Sequence, residues 1–365
     1  MREQLSRLQF IFLLMWVVMG TGYVTLPAAI AAFTGPDGWM VPVFFLFSCL
    51  VMIALIALFL KSFPGKTLVE GLTDAFGRWL GVAAGLSVLL WFYLVLCTVV
   101  REVVMFINIA VLVRVPPYVT AGLTVVALGY AISQGVEVLG RLAQLITPVV
   151  AFITIILLAL AQQHANPGHL LPVLADGWTP VLRGSVPATV YAMELAVALL
   201  GVPILAKPAR IPRDVLLVSV VLTVAGLLIE LTVILVLGPS VSSASFPILE
   251  VVRTIEYGHF LSRLDALYVM SVVVTIFLKL GFLHYGLVSE TQRLFRLSHP
   301  RDVVWGASFA VWAGSVALFP DQAAVSNFIL NSVFGYFGAS VIILPLFAIV
   351  VQRLRKWLGT PEPSV

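Results

Sequence analysis

The stretch GTGYVTLP, Gly20 to Pro27, interrupts an apolar run that extends from Leu8 to Phe33. Two glycines, a threonine and a proline weaken a helix at a depth in a membrane where unpaired backbone groups are hardest to satisfy. The run itself is long enough to cross a bilayer, which takes about 20 apolar residues. The stretch therefore predicts a transmembrane helix that is broken near its middle.

The composition of the whole chain is that of a membrane protein. The 365 residues are 61% hydrophobic and only 10% charged, with a mean hydropathy of +1.09. Soluble domains are typically about half apolar. We therefore expect an all-α polytopic membrane protein in contact with the lipid bilayer.

Ten apolar segments long enough to span a bilayer follow one another, and no soluble domain fits between them. We therefore predict one transmembrane domain over residues 1–365. The predicted spans are 8–33, 38–61, 80–111, 116–133, 136–162, 183–206, 213–238, 263–290, 301–319 and 324–352.

The basic residues in the loops predict the orientation, because cytoplasmic loops carry an excess of Lys and Arg. Of the 21 basic residues, Arg101 and Lys279 lie inside spans. One side of the membrane collects Arg2, Arg7, Lys61, Lys66, Arg78, Arg141, Lys207, Arg210, Arg213, Arg293, Arg296, Arg301, Arg353, Arg355 and Lys356. The other side collects Arg114, Arg183, Arg253 and Arg263. Both termini are thus predicted in the cytoplasm, and the net charge of +4 does not imply nucleic acid as a partner.

Two connections are long enough to hold structure of their own, and a third is long and irregular. The first, Lys61 to Gly81, predicts a short amphipathic helix at about 66–77 on the cytoplasmic face. The second, Ser245 to Leu267, predicts a similar outer helix at about 246–257. The third, His164 to Pro180, is rich in proline and glycine and predicts an irregular loop.

The irregular loop divides the ten spans into two groups of five, repeat 1 at about 8–162 and repeat 2 at about 183–352. Because five is odd, the second group enters the membrane with inverted topology. Inverted-repeat transporters bind substrate at the midplane, between broken helices in matching positions. The matching helix here is span 6, GSVPATVYAMELAVALLGVP, which contains Pro187 and a mid-span acid, Glu194.

The two breaks predict a pocket for a small zwitterion such as an amino acid. Unpaired backbone N–H groups at the start of a helix bind anions, and those of Gly22, Tyr23 and Val24 would meet a carboxylate. Carbonyls that end the first piece of span 6 near Ala188 to Tyr191, together with Glu194, would suit an ammonium group. The alternative for the glycines is helix packing through small residues, which is common in membranes.

Ionisable residues inside spans cost at least about 2.5–3.5 kcal/mol each at the helix centre and are functional hypotheses by default. On span 3, Tyr93, Cys97 and Arg101 share one face, while Glu102 lies on the next. Glu102 could line a hydrated path, with Arg101 paired elsewhere or reaching outward. The alternative is a static ion pair between helices.

Lys279 on span 8 is expected to face span 1, where a buried amine could take the place of a sodium ion. A buried lysine can also lose its proton, which would suit proton coupling. The alternative is that it reaches the cytoplasmic surface. Ser271 and Thr275 on the same span do not clearly indicate a sodium site.

The remaining polar residues inside spans favour structural interpretations. Glu230 is expected to reach the outer interface, and His284 to be a hydrogen-bonded core histidine. Cys49 and Cys97 lie in apolar runs and are expected to serve packing. With no nucleophile elbow, phosphate loop or metal-ligand cluster, we expect neither an enzyme nor a cofactor.

Four stretches together resemble the B-subunit of bacterial spore germinant receptors, also called endospore germination permeases. They are FPGKTLVEGLTDAFGRWLG from Phe63, VVREVVMFINIAVLVRVPPYV from Val99, FPILEVVRTIEYGHFLSRLDAL from Phe246 and IFLKLGFLHYG from Ile276. The resemblance covers nearly the whole chain. One departure is VRVPPYV, which lacks the threonine–proline pair often seen there.

The resemblance implies membership of the amino acid–polyamine–organocation superfamily and a LeuT-like 5+5 inverted repeat with broken helices 1 and 6. It implies a receptor in the inner membrane of a dormant spore that senses nutrients such as amino acids with partner A and C subunits. The other interpretation is a proton-coupled secondary amino-acid transporter. The ligand-binding residues would be Gly20, Thr21, Gly22, Tyr23, Tyr191, Met193 and Glu194. A polar or coupling path would use Tyr93, Arg101, Glu102 and Lys279.

Overall fold

The computed structural model describes residues 4–112, 114–255, 264–299 and 301–358, and over these ranges the chain is helical with no strand. The α-helices are α1 (Arg7–Gly22), α2 (Leu26–Thr34), α3 (Val41–Ser62), α4 (Leu68–Ala110), α5 (Pro117–Ser133), α6 (Val136–Ala161), α7 (Thr179–Met193), α8 (Ile211–Leu237), α9 (Pro247–Arg253), α10 (Leu264–Phe295), α11 (Arg301–Ala317), α12 (Gln322–Asn327), α13 (Val333–Gly338) and α14 (Leu344–Leu358).

Each of the ten predicted spans corresponds to helical structure. In the described part of the chain, seven helical stretches are long and apolar enough to cross a membrane, and α1 and α5 are shorter apolar helices. One of the seven joins α2 and α3 through a 3₁₀ turn at Gly35–Met40. The protein is therefore a multi-pass membrane protein.

The first span is broken where the sequence predicts it. Helix α1 begins after a Ser6 capping box and ends at Gly22. Helix α2 begins at Leu26 and has Pro27 in its first turn, where a missing N–H costs nothing. Residues 23–25 form the connection, so the interruption lies inside the apolar run.

The sixth span is interrupted as predicted, but a few residues later and by a change of helix type. Helix α7 runs through Pro187 to Met193, beyond the end predicted near Ala188 to Tyr191, and continues as a 3₁₀ helix at Glu194–Gly201. The N–H of Glu194 bonds to carbonyls of Tyr191 and Ala192, which tightens the turn. The span thus changes helix type at Glu194 and does not open a gap.

Two other spans depart from regular α-helix. Gly77, with φ 75° and ψ −170°, turns the chain inside α4 and separates residues 68–76 from the transmembrane part. Such a positive φ favours glycine. The last span consists of α12, α13 and α14, which are joined by π-helical segments at Phe328–Ser332 and Ala339–Ile343. Such π segments are frequent at functional sites.

Charged groups join neighbouring elements at the end of the bundle that holds Ser6 and Leu358, which we call the inner end and which the sequence predicts to be cytoplasmic. The ion pairs there include Arg7–Asp214 (2.6 Å), Lys66–Asp74 and Arg293–Glu70 (2.7 Å). The side chain of Arg355 also donates a hydrogen bond to the carbonyl of Asp74 at 3.1 Å. Arg2 and Arg263 of the predicted charge distribution lie outside the described residues, as do residues 256 and 257 of the predicted outer helix.

Helix α10 is central to the packing. It lies against α1, α4 and α6, and every residue from Leu278 to Glu290 is buried. Cys49 and Cys97 are free and buried, as expected for packing residues. A charged side chain in the middle of α10 must therefore find its partners inside the protein.

Candidate functional site

Lys279, on α10, is completely buried and forms an ion pair with Glu194. Its Nζ lies 2.9 and 2.8 Å from the two carboxylate oxygens of Glu194 and 2.7 Å from the hydroxyl oxygen of Thr21. An ammonium group has three hydrogens to donate, so these three acceptors satisfy it. The contacts join α10 to the end of α7 and to the break after α1.

The aromatic ring of Tyr191 also faces this ion pair, with its centroid 5.1 Å from the Lys279 Nζ. A cation over an aromatic face is attracted by the ring quadrupole. Tyr191 and Glu194 are three residues apart at the end of α7, which places them on the same side of the helix. The local sequence YAME thus supplies both the ring and the counter-ion for the lysine.

A small central cavity of about 30 Å³ lies beside the ion pair. Its polar lining comes from Thr21, Thr98, Glu102, Tyr191 and Glu194. The rest of its wall is apolar and comes from Val95, Val99, Val190, Ile329, Val333 and Phe337. The polarity of this lining therefore matches a small molecule with charged groups at one side and an apolar group at the other.

Glu102 separates this cavity from a second, outer cavity of about 180 Å³, and lines both together with Tyr191 and Ile329. The Thr25 hydroxyl lies 3.1 Å from Glu102 Oε1 and 2.9 Å from the Tyr191 hydroxyl. Tyr191 can donate to Thr25, which can donate to the Glu102 carboxylate. The hydrogen-bonded side chains of Tyr191, Thr25 and Glu102 therefore lie between the outer cavity and the central cavity.

The backbone N–H groups at the break are not free. The N–H of Tyr23 donates to the carbonyl of Met19 at 2.8 Å, and that of Val24 donates to the carbonyl of Thr21 at 2.9 Å. The prediction that they are unpaired is wrong, because the connection continues as a helix-like turn. A ligand carboxylate has to find another partner.

The predicted glycines and Tyr23 lie around the cavity without lining it. A Cβ on Gly20 would come within 3.1 Å of the Lys279 Cβ and 3.2 Å of the Thr275 carbonyl, so this glycine serves close packing of α1 on α10. Gly22 and Tyr23 line a separate pocket on the other side of the break. Met193 is 2% exposed and packs near Gly338.

Of the four residues predicted for a polar or coupling path, Glu102 and Lys279 lie at the central site, whereas Tyr93 and Arg101 lie elsewhere. The Arg101 guanidinium donates to the carbonyl of Pro320, in the connection between α11 and α12. The Tyr93 hydroxyl donates to the carbonyl of Ala310 on α11 at 3.3 Å. Neither side chain lines the central or the outer cavity.

Other predicted polar residues have structural partners or an unexpected position. The hydroxyls of Ser271 and Thr275 bond to carbonyls of their own helix, and His284 lies 3.1 Å from the Ser308 hydroxyl as a core histidine. Glu230 does not reach the outer interface as predicted: it is 4% exposed and lines the pocket shared with Gly22 and Tyr23. Among the described residues, no group of His, Cys, Asp and Glu could hold a metal ion.

Thr25 is the functional candidate that sequence reasoning missed. It belongs to the stretch GTGYVTLP, so its position in the break was visible. Its two partners, Glu102 and Tyr191, lie 77 and 166 residues away along the chain, and only the fold brings them together.

The chain also matches a known protein family. Residues 4–319 match the model of the spore germination protein family, described as a permease family. The chain belongs to this family. Two relatives from Bacillus subtilis (strain 168) are spore germination protein KB, 24% identical over 97% of this chain and 96% of the relative, and spore germination protein A2, 23% identical over 98% of each.

Two solved structures show that the fold is LeuT-like. The crystal structure of MhsT in complex with L-phenylalanine has a TM-score of 0.71 at 16% identity, over 97% of this chain and 99% of that one. Mhp1, a nucleobase-cation-symport-1 transporter in a closed conformation with bromovinylhydantoin bound, has a TM-score of 0.70 at 10% identity, over 99% and 94%. The division into repeats at 8–162 and 183–352 remains a prediction.

Proposed function

We propose that the protein is the nutrient-sensing subunit of a spore germinant receptor, which binds a small amino acid in the central cavity and signals its occupancy to A and C subunits. Membership of the spore germination family supports the role. The observation that supports an amino acid as the ligand is the buried Lys279–Glu194 ion pair beside the cavity. The location proposed is the inner spore membrane, with both termini in the cytoplasm.

The ion pair favours a zwitterion over a ligand with a single charge. Separating a buried pair is costly unless each charge finds a new partner. A zwitterion brings both partners: its carboxylate can pair with Lys279, and its ammonium with Glu194 and the neighbouring Glu102. No charge then stays unpaired. An amine or an acid alone would leave one charged side chain without a partner in the low-dielectric interior.

The apolar wall of the cavity favours an aliphatic side chain on that amino acid. Valines at 95, 99 and 333 and Ile329 supply most of this wall, and they offer no hydrogen bond to a polar side chain. A buried polar group without a partner costs free energy. L-Valine therefore serves as the probe.

Signalling follows if the ligand binds one conformation better than another, because a ligand with equal affinity for both shifts nothing. Exchange of partners at Lys279 changes the contacts that join α1, α7 and α10. The π-helical segment Phe328–Ser332 contributes Ile329 to the same cavity. Ligand binding would therefore change the positions of these elements, and a partner subunit would detect that change.

A second candidate function is a proton-coupled amino-acid transporter. The fold is shared with transporters, and a fully buried lysine paired with one carboxylate offers groups that could exchange a proton during transport. Both functions use the same pocket. They differ in whether the bound amino acid is released on the other side of the membrane.

Displacement of labelled L-valine from the purified protein in lipid nanodiscs tests the ligand class. We expect L-valine to bind saturably, and L-valinamide and 2-hydroxy-3-methylbutanoate, which lack one charge each, to displace it at least tenfold more weakly. That factor corresponds to about 1.4 kcal/mol, within the range for one charge-assisted hydrogen bond. Glu102→Gln should weaken L-valine binding, while Glu250→Gln removes an exposed carboxylate and should not.

Equal displacement by the two analogues and L-valine would contradict the zwitterion pocket. Absence of saturable binding for L-alanine, L-valine and L-leucine alike would remove the proposed function as stated.

A further inference from the structure

The pocket on the other side of the break holds a buried acid that the proposed function does not use. Glu230, on α8, lines this pocket of about 60 Å³ and is 4% exposed. Within the described residues its carboxylate makes no hydrogen bond or ion pair. A carboxylate in this state is costly to bury and calls for a partner.

The walls of the pocket are otherwise apolar. They come from five helices, with Met19 on α1, Ile30 on α2, Phe45 on α3, Ala188 on α7 and Leu222 on α8. The Tyr23 hydroxyl, the other polar side-chain group of the lining, lies 3.0 Å from the Thr154 hydroxyl. Glu230 thus presents the one charged group among the described residues that line the pocket.

This chemistry selects among possible occupants. A metal ion such as Ca²⁺ takes 6–8 oxygen ligands, and the pocket offers one carboxylate. An anion would be repelled, and a purely apolar molecule would leave the carboxylate without a partner. An apolar primary amine satisfies both features, because its ammonium group donates to Glu230 and its hydrocarbon body fills the rest.

We propose that the pocket between α1, α2, α3, α7 and α8 is a second ligand site, which binds a small apolar primary amine through Glu230. The site is distinct from the central cavity, whose polar residues include Thr21, Tyr191 and Glu194. Both sites adjoin the break after α1. Gly22 and Tyr23 line the second pocket, and the neighbouring Thr21 accepts a hydrogen bond from Lys279 at the central site. An amine bound here contacts the break from its opposite side and can alter the central site.

The test is equilibrium binding of labelled 3-methylbutylamine to the full-length protein in lipid nanodiscs, in the absence of any amino acid. The alcohol 3-methylbutan-1-ol has the same hydrocarbon body without the charge and serves as the matched probe. We expect saturable binding of the amine, at least tenfold tighter than that of the alcohol. Because no amino acid is present, the result does not depend on the proposed function.

Three variants locate the binding. Glu230→Gln should lower the amine affinity to that of the alcohol. Glu194→Gln, which alters the central site, should leave the amine preference in place. Gly226→Leu should weaken both probes, because a Cβ at this position has open contact with Pro42 at 3.6 Å and a longer side chain fills the pocket.

The proposal is overturned if the wild type shows no saturable amine binding or if Glu230→Gln keeps the amine preference. It is also overturned if Glu194→Gln loses the preference and Glu230→Gln does not, which would place the amine in the central cavity. Size-exclusion profiles confirm folding of each variant. If Glu230→Gln does not fold, the filled pocket of Gly226→Leu decides: retained amine binding there overturns the proposal.

Discussion

Replacing Lys279 with methionine is expected to lower the free energy of unfolding by about 3–5 kcal/mol. Lys279 is fully buried and both oxygens of Glu194 accept from its ammonium group. Removing the lysine leaves the buried carboxylate of Glu194 without its main partner. Thermal unfolding of the purified variant in nanodiscs, followed by fluorescence, measures the change.

A double variant separates the ion pair from simple loss of packing. In Lys279→Met/Glu194→Met neither charge remains, and replacing a buried pair with apolar residues of similar volume is often neutral or stabilising. We expect its stability to return close to that of the wild type, while L-valine binding stays absent. Lys61→Met, which removes an exposed lysine at the end of α3, is the control. A single variant as stable as this control would mean that the ion pair is not formed.

Gly20→Ala is expected to lower stability by about 1–3 kcal/mol, the usual cost of overpacking. A Cβ at this position would lie 3.1 Å from the Lys279 Cβ and 3.2 Å from the carbonyl oxygen of Thr275. The backbone carbonyl cannot move aside without displacing α10. The same shift moves Lys279 relative to Thr21, so L-valine affinity should fall together with the melting temperature.

Gly22→Ala is the matched control for this substitution, because both glycines lie near the end of α1. Its Cβ would meet the Tyr191 ring at 3.8 Å, which is ordinary contact. We expect no loss of stability, and a gain of up to about 1 kcal/mol from the better helix propensity of alanine. Equal destabilisation by both substitutions would show that the break itself, and not the close packing on α10, requires glycine.

The sequence predicts the broken first span correctly because the signal is local. Glycines, a threonine and a proline inside an apolar run weaken a helix wherever the chain goes afterwards. The length of the apolar runs likewise predicts the helical segments, and the resemblance to a known family predicts the LeuT-like fold. For span 6 the local signal is weaker, since Pro187 is accommodated inside α7 and the change of helix type at Glu194 leaves no mark in the sequence.

The site is only partly predictable, because its contacts join distant segments. The cost of burying a charge identifies Glu194 and Lys279 as candidates, but they are 85 residues apart and only the fold pairs them. The predicted anion site at the break is wrong because a three-residue connection can still satisfy its N–H groups within the turn. Glu230 was misplaced for the same reason, since hydropathy does not show which neighbours enclose a residue.

The most direct measurement of the central claim is labelled L-valine in proteoliposomes that contain this protein alone, with an imposed pH gradient and a parallel binding assay on the same preparation. The account predicts saturable binding without accumulation inside the vesicles, as for a sensor that needs partner subunits to act. Accumulation that collapses with the gradient would contradict it and show a proton-coupled transporter.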